Sequence, residues 1–577
     1  MATAGLFQEG EEKKAGVFVE SQVTTSHIRF TDIPFEEFLY HAAIQRRAEA
    51  MGQGISDTVG VQEKGVVVAA ATPAPRTWFN TLTEHKGPNV NLDLPSDASV
   101  DSVVDLTEDE IEKVNASRAL RRATWAMVFY LITTDILGPF NAGFAISQVG
   151  WVPGIILYTV MGIAALYTGL IIWRLHIRMD SLRFPIRTYG DMAERLFGSW
   201  AKHLVTVLQS IQLIVNVGTL CLSNGQGLAQ ISKNGFCFAV AIVIWPLVGM
   251  VIGQIRTLER FSGLANSAVW INLLIIFLSM GFIAHSPPNY AAALSSLGQP
   301  QGPVITQAFV SLPLYSKING IMNMVFAYGG AMIFPEMLAE MRRPMDFWKG
   351  MCMAQALIYT CYLMYGCYLY GMQGQFTLPL AYQGVSRYAW QTVGNVLALI
   401  TGIIAAGLYG NIGLKVIYIN IVEGWFKGPR LMSPKGRLLW TPLVFVYWSL
   451  AFIVGSAIPQ VQNISGLIAS VAIMQFTYTF PPAMRCAYDI MTDAMIADGP
   501  YVPGSFSTSH RIDSWRDWSR WKRGLFGGRW YYKVFNFVIF LACLAFACLG
   551  MWGSGTAIKN SFAAIGAPTS FGCTPPV

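Results

Sequence analysis

Charge is what this chain lacks most. Only 13% of its 577 residues are Asp, Glu, Lys or Arg, against 53% hydrophobic. A soluble globular chain carries about 25% charge, so water is not its only solvent. The nine cysteines form no C-x-x-C pair and fall mostly inside apolar runs, which reads as neither a disulfide framework nor a zinc site. The seven histidines do not cluster. A lipid-modifying enzyme would need a His/Asp or Ser/His centre at a membrane face, so we expect no catalytic residues, no metal and no cofactor. The N-terminus lacks the basic-then-apolar opening of a secretory signal, and residues 1–117 are expected to stay in the cytosol.

The charge that is present divides the chain. Residues 1–117 hold 9 bases and 19 acids, and the rest hold 31 bases and 14 acids. The head is thus an acidic tail of low apolar periodicity, which reads as mostly disordered. Thr107 followed by Glu110 has capping-box spacing for a short helix leading to Arg118, Arg121 and Arg122. In the body the bases lie between apolar runs rather than on one face, which argues against nucleic acid as a partner.

A bilayer needs roughly 20 apolar residues per helix. Eleven stretches qualify, near 124–147, 152–176, 202–225, 236–254, 262–284, 319–341, 350–372, 393–420, 439–461, 464–487 and 531–557. With the N-terminus cytosolic, 26 bases after Ser117 fall inside and only Lys233, Lys317, Arg387 and Lys559 outside, with Lys415 in a span. The expected architecture is an all-α polytopic membrane protein. Residues 118–560 are the transmembrane domain and 561–577 a short extracytosolic tail. The sequon Asn463-Ile464-Ser465 sits too near the membrane to be glycosylated.

Two of the apolar stretches are interrupted. The first contains Gly138-Pro139-Phe140-Asn141-Ala142-Gly143, and the sixth contains Tyr328-Gly329-Gly330 followed by Pro335 and Glu336. A broken helix frees backbone groups that hydrocarbon cannot satisfy, so breaks persist where they line an enclosed cavity. Equivalent breaks in two five-helix halves point to an inverted-repeat transporter with a midplane site. A channel would need continuous polar stripes on several helices; here the polar residues are isolated.

The residues also suggest a family. Asp135-Ile136-Leu137-Gly138-Pro139, Gln148 to Gly154, Arg187-Thr188-Tyr189-Gly190-Asp191, Phe326 to Glu336 with Arg343-Pro344, and Ala457-Ile458-Pro459 through Gly466-Leu467 come in order along the chain. Together they resemble the amino acid/auxin permease family, especially its fungal neutral amino acid permeases, over residues 118–560. The resemblance implies an eleven-span 5+5 inverted repeat of the leucine-transporter type. It also implies secondary transport of amino acids, driven by protons in the fungal branch and by sodium in many animal members. Two departures matter. Gly143 stands where many members carry Pro, and Ala331 stands where some carry His, so any coupling role of that His does not carry over.

A zwitterionic substrate needs partners for a carboxylate and an ammonium. Free N–H groups around Asn141 to Gly143, at the positive end of the second half-helix, suit the carboxylate. Carbonyls near Phe326, Ala327 and Tyr328 suit the ammonium, with Gly138, Gly329 and Gly330 allowing close approach. Phe140, Phe144 and Tyr328 are candidate walls for an apolar or aromatic side chain, and Ala142 completes the first break. Gln209, Gln212 and Asn216 face the same cavity or bind neighbouring helices.

Intramembrane ionisable residues are the coupling or gating candidates: Asp135, Glu336, Glu340, Arg343 and Lys415. Glu336, Glu340 and Arg343 fall at i, i+4 and i+7, one helical face. Ile403 to Leu408 offers no hydroxyl for sodium, which favours protons. We therefore expect a proton symporter of neutral amino acids, in the plasma membrane rather than the vacuolar one. An amino acid sensor signalling through its tail, or a sodium-coupled or vacuolar carrier, are the alternatives.

Overall fold

The computed structural model describes residues 33–50 and 121–575, apart from 122, 137, 256–258, 430, 432, 505–507 and 564–569. Thr107 and Glu110 of the expected capping box lie outside the described residues. Each of the eleven apolar stretches contains helix among its described residues. In chain order the helices are α1 (Phe35–Ala50), α2 (Trp125–Ile136), α3 (Ala142–Val149), α4 (Trp151–Met179), α5 (Tyr189–Phe197), α6 (Ser199–Ile231), α7 (Phe238–Ile252), α8 (Glu259–Ala284) and α9 (Tyr290–Leu297). They continue with α10 (Leu314–Ala327), α11 (Phe334–Glu340), α12 (Phe347–Gln373), α13 (Tyr388–Ile417), α14 (Pro434–Ala457), α15 (Val461–Ile468), α16 (Phe480–Met495), α17 (Trp518–Phe526) and α18 (Trp530–Ala563). Among the described residues, eight helical stretches are long and apolar enough to cross a membrane, with α7 a shorter apolar helix. Two π-helical stretches, Tyr418–Trp425 after α13 and Ala469–Thr479 between α15 and α16, have no signature in the sequence.

The helices are inverted relative to those of soluble proteins, because hydrocarbon rewards apolar side chains on the outside. On α6, Leu204, Val207 and Ile211 are exposed while Gln209, Gln212 and Asn216 are buried. On α18, Phe535 and Val538 face out and Asn536 and Ser554 face in. Small residues allow the tightest crossing. A Cβ on Gly455 of α14 would lie 2.5 Å from the Gly218 carbonyl of α6, so those two helices meet backbone to backbone.

Cys237 and Cys573 form a disulfide, and this corrects the reading that the cysteines form no disulfide framework. The partners are 336 residues apart, a separation that no local spacing rule detects. It ties the start of α7 to the C-terminal tail, both on the extracytosolic side in the positive-inside assignment. Replacing Cys573 by Ser is expected to lower stability by roughly 2–4 kcal/mol while leaving uptake measurable. Thermal unfolding of the purified variant, with thiol counting by maleimide, checks this. Asn463 is buried and bonded to Asn319 (3.2 Å) and Gln460 (2.7 Å), so the sequon is inaccessible.

The expectation of a disordered tail does not hold for α1, which is docked on the described body. Glu36 pairs with Arg511 at 2.7 Å, and Glu37 accepts from the Tyr501 hydroxyl and the Gly504 N–H. Gln45 accepts from the Leu182 N–H at 2.7 Å, and Glu49 from the Met345 N–H at 3.1 Å. Phe38 packs edge-on against Phe184 and under the Arg195 guanidinium. Every partner, Arg195 of α5 included, lies in segments read as cytosolic, after α4, α11 and α16. Composition missed α1 because its buried Glu36 and Glu37 find their partners more than 400 residues away.

Burial pushes the Glu36 and Glu37 carboxyls up, but Arg511 at Glu36, and His41 and Tyr501 at Glu37, outweigh it and hold both below the usual range. A depressed carboxyl contributes stability above its unfolded value and loses it as pH falls through its folded value. The contribution of these two carboxyls to docking is therefore expected to be unchanged from pH 7 to about 5 and to weaken only below about 4. Glu36→Arg should release α1, and adding Arg511→Glu should restore it. Limited proteolysis between α1 and α2 reads both.

Candidate functional site

Both helix interruptions are present. After α2 ends at Ile136 the chain turns through a 3-10 segment, Pro139–Asn141, into α3. After α10, Tyr328-Gly329-Gly330 and the 3-10 turn Ala331–Ile333 lead to α11, where Pro335 occupies the opening turn, a position at which its missing N–H costs nothing.

The two breaks meet at one cavity of about 170 Å³. Of the expected site residues, Gly138, Phe140, Asn141, Phe326 and Gly329 line it. Ala142, Gly143, Ala327, Tyr328 and Gly330 do not. Gly143 is a packing position, where a Cβ would lie 2.7 Å from the Leu369 Cβ and 2.8 Å from the Thr377 Cγ2. Tyr328 turns away, donating its hydroxyl to the Tyr158 carbonyl at 3.1 Å and packing edge-on to the Tyr158 ring. Phe144 lines a second, neighbouring space instead.

The third span carries more of the wall than the sequence reading assigned to it. Asn216, Thr219, Ser223 and Asn224 of α6 face the cavity, continuing the helical spacing that begins at Gln209. Thr401 and Gly402 of α13 add to the lining, Gly402 directly against Asn224, and Ile473 of the π-helical stretch covers Gly329. No charged side chain is among the described lining residues. Tyr382 packs edge-on to Phe140 with centroids 5.0 Å apart. Beyond it a 440 Å³ vestibule is lined by amides, among them Gln148, Gln226, Gln460 and Asn463, and Leu380 belongs to both spaces.

The ionisable candidates separate. Asp135 lies in the last turn of α2, with its side chain outside the described residues. Glu336 sits in the first turn of α11, where the helix dipole favours a carboxylate. One oxygen accepts from Gln209 Nε2 at 2.7 Å and from the Tyr189 N–H at 3.4 Å; the other is buried without a partner. The Tyr189 end is fixed by a capping box on α5, Thr188 with Asp191, which explains part of the Arg187 to Asp191 motif. Gln212, fully buried with both amide atoms unpartnered, lies between Gln209 and the cavity residue Asn216 on α6.

Glu340 pairs with Lys415 at 2.9 Å, joining α11 to α13. The expected Glu336, Glu340 and Arg343 face is corrected at its third member. Helix α11 ends at Glu340 and Met341 is extended, so Arg343 leaves the helical register and is exposed. The extended backbone bonds elsewhere: Ala123 donates to the Glu340 carbonyl and Arg342 to the Ala123 carbonyl, each at 2.9 Å. Close by in sequence, buried Arg121 holds Asp180 through both guanidinium nitrogens at 3.1 and 3.2 Å. Burial raises the Asp180 carboxyl, but Arg121, His176 and Arg46 leave it well below the usual range. These ties join the head of α2 to the ends of α4 and α11.

Comparisons with known proteins give the family. A family model described as transmembrane amino acid transporter protein matches residues 121–494. The N amino acid transport system protein of Neurospora crassa is 23% identical over 397 residues, 66% of this chain and 79% of the relative. Lysine histidine transporter-like 1 of Arabidopsis thaliana is 23% identical over 415 residues, 68% of this chain and 86% of the relative. The match covers both interrupted helices and the cavity between them, and the chain belongs to the family of transmembrane amino acid transporter proteins.

Proposed function

We propose that the chain moves neutral amino acids across a membrane by proton symport with alternating access, through eleven spans arranged as two inverted halves. The observation that carries this reading is that both helix breaks open on one cavity with no charged side chain among its described lining residues. Backbone N–H groups near Asn141 take the carboxylate and carbonyls near Phe326 take the ammonium. An uncharged wall leaves a charged side chain without a partner, and desolvating it would cost several kcal/mol. The amide vestibule is the outer approach, and Phe140 with Tyr382 closes it. The ties of Ala123, Asp180 and Lys415 form the inner gate. Glu336 and Asp135 are the coupling carboxylates, with Gln209, Gln212 and Asn216 as the polar route to the cavity. The plasma membrane is the proposed site, with the N-terminus in the cytosol.

Thermal-shift titration of the purified protein with single amino acids tests the substrate class. Neutral apolar or aromatic amino acids should stabilise it; stabilisation by lysine or glutamate alone would contradict the reading. A second reading, a sensor that signals through its tail, is favoured by the docking of α1 on the cytosolic gate segments. Deleting residues 1–100 should leave uptake in proteoliposomes and change surface abundance; loss of a cellular signal with transport intact would support the sensor.

A further inference from the structure

Helix α17 is built inside out. Its inner face is ionic: buried Arg520 pairs with Asp498 at 2.8 Å and with Asp513, and Arg523 pairs with Asp513 at 2.5 Å. Its C-terminal carbonyls are capped from α18, where the buried Lys533 ammonium bonds the carbonyls of Gly524 and Gly527 and pairs with Asp493. Gly524 packs against the Ile490 carbonyl of α16. Its outer face carries Trp518, 69% exposed, and Phe526, 66% exposed, with Trp521 half-exposed beside them. Trp530 and Tyr531, at the head of α18, extend this aromatic surface and are also exposed.

A helix folded against water would bury the tryptophans and expose the arginines. Here the ion pairs fix a rigid platform and the aromatics face outward, three residues from the start of a membrane span. Exposed Arg516, Lys522 and Arg529 are interleaved with them. The exposed acid on this side, Asp517, is engaged by the backbone N–H and hydroxyl of Ser514. Aromatics level with a span end, mixed with bases, match the headgroup layer of a negatively charged leaflet.

We propose that the outer face of α17 is a binding surface for anionic phospholipid headgroups in the cytosolic leaflet, with Trp518, Trp521 and Phe526 immersed and Arg516, Lys522 and Arg529 paired to phosphate and carboxylate groups. Because α17 is packed on the ends of α16 and α18, leaflet charge acts on the span that closes the bundle.

The full chain with Trp518→Cys and Cys548→Ser, carrying a nitroxide at position 518, is reconstituted in phosphatidylcholine with and without about 30% phosphatidylserine. The label should be shielded from an aqueous relaxant and open to oxygen, more so with phosphatidylserine. Accessibility to the aqueous relaxant in both membranes would overturn the proposal, leaving a soluble protein as the partner. Equal immersion in both would overturn its anionic selectivity. In parallel, mass spectrometry counts lipids retained through purification from mixed micelles. Arg516→Glu/Lys522→Glu/Arg529→Glu should lower the retained phosphatidylserine-to-phosphatidylcholine ratio by up to roughly fivefold per base. An unchanged ratio would contradict it. These side chains are exposed, and an unchanged gel-filtration profile separates lipid loss from misfolding.

Discussion

Gly329→Leu is expected to abolish uptake while the protein still reaches the membrane. The new Cβ would lie 2.8 Å from Ile473 Cδ1 and 3.0 Å from the Phe326 carbonyl. The isoleucine end can yield, but the carbonyl cannot, and the leucine side chain would occupy the cavity at the break. The rest of the bundle does not depend on that space. Radiolabelled uptake normalised to surface expression measures the effect, and a loss of at least a hundredfold is expected, near 3 kcal/mol of transition-state stabilisation. Wild-type uptake would remove Gly329 from the substrate path.

Glu336→Gln is expected to separate transport from accumulation. Glutamine has the shape of the protonated acid and keeps a partner for Gln209, so the fold at α11 should hold. It cannot gain or lose the proton. Each pH unit supplies a symported proton with about 1.4 kcal/mol, enough for roughly tenfold accumulation. The variant should retain substrate exchange and lose this gradient-driven accumulation. If Glu336→Gln concentrates substrate like wild type, Asp135→Asn is the variant in which the loss should appear.

The sequence carried the large features because they rest on local chemistry. Pro139 and the paired Gly329 and Gly330 break helices wherever they stand, and Lys and Arg mark the cytosolic ends of spans irrespective of packing. Five of the ten expected substrate residues line the cavity and five do not. Spacing shows which residues lie near a break but not which way they turn: Tyr328, expected as a wall, bonds Tyr158 instead, Gly143, expected to offer its N–H, packs against Leu369 and Thr377, and Thr219, Asn224 and Thr401 line the cavity. Arg343 was misplaced because a helical register was extended past Glu340, where the backbone bonds Ala123 instead. What joins distant segments had no local signal: the disulfide to Cys573, the docked α1 and the Glu340 to Lys415 pair.

The most direct test of the central claim is uptake of a neutral amino acid into sodium-free proteoliposomes across an imposed proton gradient. The account predicts that uptake rises as the outer pH falls from about 7 to about 5 against a neutral interior. It also predicts that internal substrate overshoots the external concentration by up to roughly tenfold per pH unit. Uptake that requires sodium and is indifferent to the proton gradient would contradict it.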